Sequence, residues 1–289
     1  MRATTLLGAC AVAIIMATGT VSAATVDFKQ VGTIADYNPA VTAFLAFEAQ
    51  MGGTRTMENF DGAATPGGTS QNKTTGTPAI NRTNENKFDE GGPNTFEGLG
   101  ERGTGNTRTN NGNNIQIRNG NNGGRVNVMH QAAAAGITAA QGIGGDGNFL
   151  DSNDTWGFVW TLENIWGGLF QGVQAFITDP NDAGGNLVIE AKWGGSTTLS
   201  KIFNVEQIVG TTANIGNGTI WHFTADLRGL EWDTLTVKFD MRPKNDGFNI
   251  TNIGTYVIPL PAPALLLLTG VGTLGGLSVV RRRRARATA

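Results

Sequence analysis

Phe170-Gln171-Gly172-Val173-Gln174-Ala175-Phe176-Ile177-Thr178, stopped by Asp179-Pro180-Asn181-Asp182-Ala183-Gly184-Gly185 and resumed by Asn186-Leu187-Val188-Ile189-Glu190-Ala191-Lys192-Trp193, sets the fold class. Both runs are short, rich in β-branched and aromatic residues, and bounded by turn formers, a pattern that predicts strands. The same signature covers Thr155–Leu162, Thr198–Val205, Thr219–Asp226, Leu235–Met241 and Gly247–Tyr256. Short strands in succession, punctuated by Gly, Asn, Asp or Pro, predict an all-β sandwich or jelly roll and not an alternating α/β domain. Trp156, Phe158, Trp160, Phe176, Trp193, Trp221, Phe223, Phe239 and Phe248 are its expected large packing groups.

Upstream, Val26–Ile34 reads as a first strand. Asn38-Pro39, a capping residue and a first-turn proline, then precedes Val41, Phe44, Leu45, Glu48 and Met51, with Gly52-Gly53 as the stop. That predicts a short N-terminal helix. Thr54–Phe60 returns to strand character and ends at the turn signal Asp61-Gly62. From Ala63 to Asn122 the composition shifts to Gly, Asn and Thr, which bury too little apolar surface to offset their ordering entropy, so long loops are expected. Ile115–Arg118 and Arg125–Met129 predict a hairpin around Asn119–Gly124, and Ala132–Ala135 is weakly helical.

The two ends are sorting sequences. Met1-Arg2, the apolar stretch Leu6–Met16 and the small residues Val21-Ser22-Ala23 form a secretory signal peptide, residues 1–23, for the export translocase and signal peptidase, with cleavage after Ala23. Its removal takes away Cys10, the sole cysteine, so the mature chain has no disulfide or thiolate chemistry. At the other end Ile258-Pro259-Leu260-Pro261-Ala262 precedes an uncharged apolar run, Pro263–Val280, then Arg281, Arg282, Arg283, Arg284 and Arg286. The run is long enough for a transmembrane helix, which takes roughly 17 to 25 residues. The arginines stop transfer and stay cytoplasmic, leaving the preceding chain outside the inner membrane. A plain single-pass anchor obeys the same rules, but the three prolines suit an extended peptide offered to a membrane-embedded processing enzyme. Trimming both ends leaves 15 Lys and Arg against 23 Asp and Glu, a net of about −8, which argues against nucleic-acid binding.

At residues 258–289 the tail resembles the PEP-CTERM class of exosortase substrates in its VPLPA variant, with Ile258 in place of the usual Val. The resemblance implies cleavage near the motif by an exosortase-like sorting enzyme and delivery to the surface or exopolysaccharide matrix of a Gram-negative bacterium. Leu150-Asp151-Ser152-Asn153-Asp154, Phe176–Gly185 and Asn245-Asp246-Gly247-Phe248 are likewise similar to the extracellular domain common among such substrates. This implies a lectin-like β-sandwich over residues 24–257. In relatives the last motif continues into an acidic Ile-Asp-Asp-like strand; here it reads Asn249-Ile250-Thr251-Asn252.

Candidates for chemistry are few. Asp146, Asn148, Asp151, Asn153 and Asp154, and separately Asp179, Asn181 and Asp182, offer hard oxygen donors suited to calcium, although neither set has EF-hand spacing and Asx residues also build turns. No other cofactor is indicated. His130 and His222 are the imidazoles, and alternation puts His222 on the opposite face from Trp221 and Phe223. No nucleophile elbow, phosphate loop or zinc motif occurs. Glu163, Glu190, Glu206 and Glu231 are the carboxylates from which a glycosidase pair would have to come. The expected role is structural or adhesive and non-enzymatic, with a carbohydrate-binding module second and a glycan-processing enzyme third.

Overall fold

The computed structural model describes residues 24–60, 94–98, 101–102, 108–109, 116–122, 124–152, 157–163, 170–180, 185–205, 218–240 and 248–257. In chain order these form β1 (Thr25–Thr33), α1 (Asn38–Met51), β2 (Thr54–Glu58), β3 (Asn94–Gly98), β4 (Glu101–Arg102), β5 (Arg108–Thr109), β6 (Gln116–Asn119), β7 (Asn121–Asn122) and β8 (Arg125–Val126). There follow α2 (Val128–Ala134), a 3-10 turn (Thr138–Ala140), β9 (Asn148–Asp151), β10 (Gly157–Glu163), β11 (Phe170–Thr178) and β12 (Asn186–Trp193), then β13 (Ser196–Asn204), β14 (Thr219–Asp226), β15 (Thr234–Asp240) and β16 (Asn249–Val257). The expected signal peptide and sorting tail, residues 1–23 and 258–289, lie outside the described residues, and no helix among those described is long and apolar enough to cross a membrane.

Pairing is antiparallel throughout. A seven-stranded sheet runs β1-β14-β11-β16-β9-β6, with β2 also on β16, and a five-stranded sheet runs β13-β12-β15-β10-β3. The strand period of two sends Val173, Ala175, Ile177, Trp221, Phe223 and Ala225 of the large sheet toward Phe158, Trp160, Leu187, Ile189, Val237 and Phe239 of the small one, forming one core. Aromatic contacts lock the layers: Trp160 meets Phe223 edge-on at 6.0 Å and Phe158 stacks on Phe248 at 5.2 Å. The all-β sandwich expected from the sequence is therefore present.

The sheets differ in what covers their outer faces. On the large sheet the alternate residues Phe176, Ile220 and His222 are buried too, because α1 and α2 roof them. That is why β11 and β14 lack polar alternation. The small sheet keeps buried-in, part-exposed-out alternation along β10, β12 and β15, the mark of a face open to water. α1 forms where predicted, burying Ala40, Val41, Phe44, Phe47 and Met51 along one stripe. Its start is held by Asp36, whose Oδ1 accepts the Asn38 N–H at 3.0 Å, and it ends at Gly52 with φ 64°.

Three expectations change. Ile115–Arg118 and Arg125–Met129 do not form one hairpin: β6 pairs with β9, and Val128 opens α2. β9 gives Ile117 a core face and Arg118 the Asp151 carboxylate, neither of which the Arg125 segment offers. The Gly/Asn/Thr-rich stretch contributes β3, with Phe96 in the core and Asn94 accepting the Trp160 indole N–H at 2.8 Å. Trp193 is not a core residue. It ends β12 beside a two-residue turn, Gly194 (φ 54°) and Gly195 (φ 81°), and is 46% exposed. Trp156 lies outside the described residues.

Candidate functional site

Of the predicted oxygen donors, the structure describes Asp146, Asn148, Asp151 and Asp179. Asp146 is exposed, and its backbone carbonyl accepts the Asn119 amide at 2.7 Å. Asn148 is buried, its Nδ2 donating to the Phe60 carbonyl and its Oδ1 accepting from Asn119. Asp151 is fully buried between two guanidiniums, 2.6 Å from Arg118 and 3.3 Å from Arg125. A carboxylate so paired neutralises buried cations already present, and those cations repel a further one. Asp179 is buried at the end of β11 with φ 60°. Asn153, Asp154, Asn181 and Asp182 lie outside the described residues, and among those described no group of three or more His, Cys, Asp or Glu is placed to hold a metal.

Each imidazole is held by a hydrogen bond within the fold. His130, in the first turn of α2, uses Nδ1 to donate to the Gly145 carbonyl at 3.1 Å. His222 points away from the inter-sheet core, as alternation predicts, into the layer beneath α1, packed against Phe44, Phe47 and Phe176. Its Nε2 donates to Gln174 Oε1 at 2.7 Å, and Gln174 Nε2 in turn contacts the Tyr256 hydroxyl. Burial, with Lys29 adding to it, pushes the His222 pKa down to about 3, so the ring is neutral and serves as a fixed donor. Burial also raises the Tyr256 phenol. Gln174 Nε2 also donates to the Phe44 carbonyl of α1 at 3.4 Å, so the arrangement is a polar clasp between α1 and the large sheet.

The carboxylates considered for glycoside hydrolysis are spread over an open surface. Glu163 is exposed at the end of β10, Glu190 is half-buried 3.9 Å from Lys192, and Glu231 is exposed in the β14–β15 connection. Glu206 lies outside the described residues. In register, Glu163 sits opposite Thr234 and Glu190 opposite Thr236, two strands apart with β15 between. Strand spacing puts their Cα atoms about 12 Å apart. This outer face also carries Val159, Thr161, Val188 and Ile202, with Ile202 62% exposed, and the Lys238–Asp240 pair at 2.7 Å.

Sequence reasoning missed the main polar feature, a set of buried asparagines. Asn252 sits in a bulge of β16 at φ 51°, where the pairing with β11 shifts between Gln174 and Phe176. Its Oδ1 accepts the Met129 N–H at 3.2 Å, and its Nδ2 donates to Asn59 Oδ1 and Asn127 Oδ1 at 3.2 and 3.0 Å. Asn127 caps α2 and binds the carbonyls of Gly144 and Asn148, Asn59 binds that of Ile143, and Asn249 binds that of Val126 while accepting from Thr178. These amides stitch residues 124–148 to the large sheet. The available signal was Asn249 and Asn252 within one predicted strand, since neutral amides can both donate and accept in a dry interior.

No family model and no curated protein matches the chain. Among solved structures it is similar to the K1 cleaved adhesin domain of Lys-gingipain from Porphyromonas gingivalis W83, at 10% identity and TM-score 0.34, covering 72% of this chain and all of that one. It is also similar to the K2 cleaved adhesin domain of Lys-gingipain, at 12% identity and TM-score 0.33, covering 71% and 100%.

Proposed function

We propose that the chain is an exported protein with a structural or adhesive role, delivered to the cell surface or exopolysaccharide matrix by an exosortase-like enzyme acting on Ile258–Ala262. The observation that carries this reading is the placement of β16. A central strand of the large sheet runs to Val257, and the proline motif starts at the next residue, so a folded body joins directly to a sorting tail. The signal peptide at the other end supports export, and the apolar run with its arginines supports transient anchoring in the inner membrane. A non-enzymatic role is supported by where the polar residues go: His222, Asp151 and the buried asparagines each hold one part of the fold to another. Intact-mass analysis of protein recovered from cells with and without the sorting enzyme tests it. A product ending near Pro259 that depends on the enzyme is expected; an unchanged Arg-bearing end rejects it.

A carbohydrate-binding role is the second reading, favoured by the exposure of Trp193 at the β12–β13 turn. An open indole offers a stacking surface to a sugar ring. Trp193→Ala then abolishes retention on exopolysaccharide while leaving the unfolding midpoint in place; equal retention of both proteins removes this reading.

A further inference from the structure

Both sheets end on the same flank. β1 is the edge of the large sheet and β13 the edge of the small one, and Phe28 of β1 meets Phe203 of β13 at 6.1 Å. Among the described residues no strand pairs with the outer edge of either. Val26, Leu199 and Phe203, all on this flank, pack on the core yet stay only partly buried, so the core is incompletely closed here. Lys201 lies over the Phe203 ring at 5.6 Å, a cation partly covering the small sheet's edge.

β1 carries a charge pattern that is its own complement. Asp27 and Lys29 are exposed, with side chains 52% and 62% accessible, and lie on one face with Phe28 between them turned into the core. Two copies of a strand related by a two-fold axis pair antiparallel, and matching faces require the axis to pass through a residue. Centred on Phe28, each Asp27 lies opposite the other copy's Lys29, giving two cross-strand ion pairs. Centred on Asp27 or on Lys29, like charges meet at the axis. The regular part of β1 selects the same register: its pairing with β14 shifts between Gln30 and Gly32, and a Phe28 centre uses Val26 to Gln30, ending just short of that irregularity. Val26 then lies opposite Gln30 of the second copy and is covered by it.

We propose that the free edge of β1 is a self-association surface, on which a second copy of this chain adds its own β1 antiparallel about Phe28, making one continuous sheet across the pair. The test uses the full-length chain in mild detergent, with dimer fraction read against concentration by native mass spectrometry. Asp27→Lys and Lys29→Asp each turn two attractive cross-strand pairs into repulsive ones and weaken the dimer roughly tenfold, and the double swap D27K/K29D restores it. Circular dichroism confirms that the variants fold, since both side chains are exposed. In the wild type and the double swap, a carbodiimide cross-linked dimer contains an intermolecular peptide joining positions 27 and 29. A wild type that stays monomeric, single variants that dimerise as well as the wild type through the tail or another face, or a cross-link only to a different protein overturns the proposal.

Discussion

Asn252 is where the fold concentrates polar interactions, and a three-member substitution series there separates its contributions. Replacement by Gly keeps the left-handed backbone at φ 51° but removes the amide that accepts from Met129 N–H and donates to Asn59 and Asn127. Asn127 Oδ1 retains the His130 N–H, so the groups that lose a hydrogen-bonding partner are the Met129 N–H, the Thr251 hydroxyl and Asn59 Oδ1. At about 1–3 kcal/mol for each buried unsatisfied group, Asn252→Gly costs about 3 kcal/mol, a large share of the roughly 5–15 kcal/mol of a typical domain. Asn252→Ala adds about 1 kcal/mol more, because a Cβ in the left-handed region is strained. Asn252→Asp is the most damaging of the three. It keeps an acceptor for Met129 but brings a buried charge against two amide oxygens with no hydrogen to give. Urea unfolding of the folded body, followed by tryptophan fluorescence, orders the variants as wild type, Gly, Ala, Asp. A Gly variant within 1 kcal/mol of wild type, or one less stable than Ala, refutes the reasoning.

His222 makes stability depend on acid. The unfolded chain takes up its proton near the ordinary value of 6.5, while the folded chain holds out to about 3. Stability therefore falls as pH drops through that window, by about 1.4 kcal/mol per pH unit from this residue, and His222→Gln flattens the slope between pH 6.5 and 5 in urea titrations. Asp151→Asn leaves Arg118 and Arg125 buried without their carboxylate and lowers the unfolding free energy by about 3–5 kcal/mol, measured by denaturant unfolding. At Gly144 a Cβ would come within 2.2 Å of the backbone nitrogen of His130, so Gly144→Ala forces residues 144–147 off α2. Faster amide exchange in α2 is the expected readout.

The architecture was legible where one physical cause acts alone. β11, β12 and β14 begin and end at the residues read from the sequence, because aromatic and β-branched runs between turn formers leave little choice of conformation. α1 was equally plain from Pro39 at one end and Gly52 at the other, although Asn38 is its first residue and Tyr37, not Asn38, stands at the N-cap. The errors arise where tertiary contacts overrule composition. Trp193 has the chemistry of a core residue, yet its place next to Gly194 puts it past the end of the layer it would have packed into. β3 looks like loop because its flanks are Gly, Asn and Thr; Phe96, stacked on Trp160 at 6.2 Å, and Asn94, bonded to the same indole, tie it to the core.

The buried amides were hard to read from the sequence for a deeper reason. Asn and Asp share the same turn preference, so residue type alone does not tell a buried amide from a solvated acid. Burial separates them. A carboxylate entering the core must bring cations, as Asp151 does with Arg118 and Arg125, whereas an amide brings one donor group and one acceptor and can be linked to others without charge. The difference decides which segments become part of the core: Asn59, Asn127, Asn249 and Asn252 anchor residues 124–148 from inside, while Asp146 stays at the surface. An acidic residue at position 252 would therefore lose the two donated bonds to Asn59 and Asn127 and loosen the hold of the large sheet on residues 124–148.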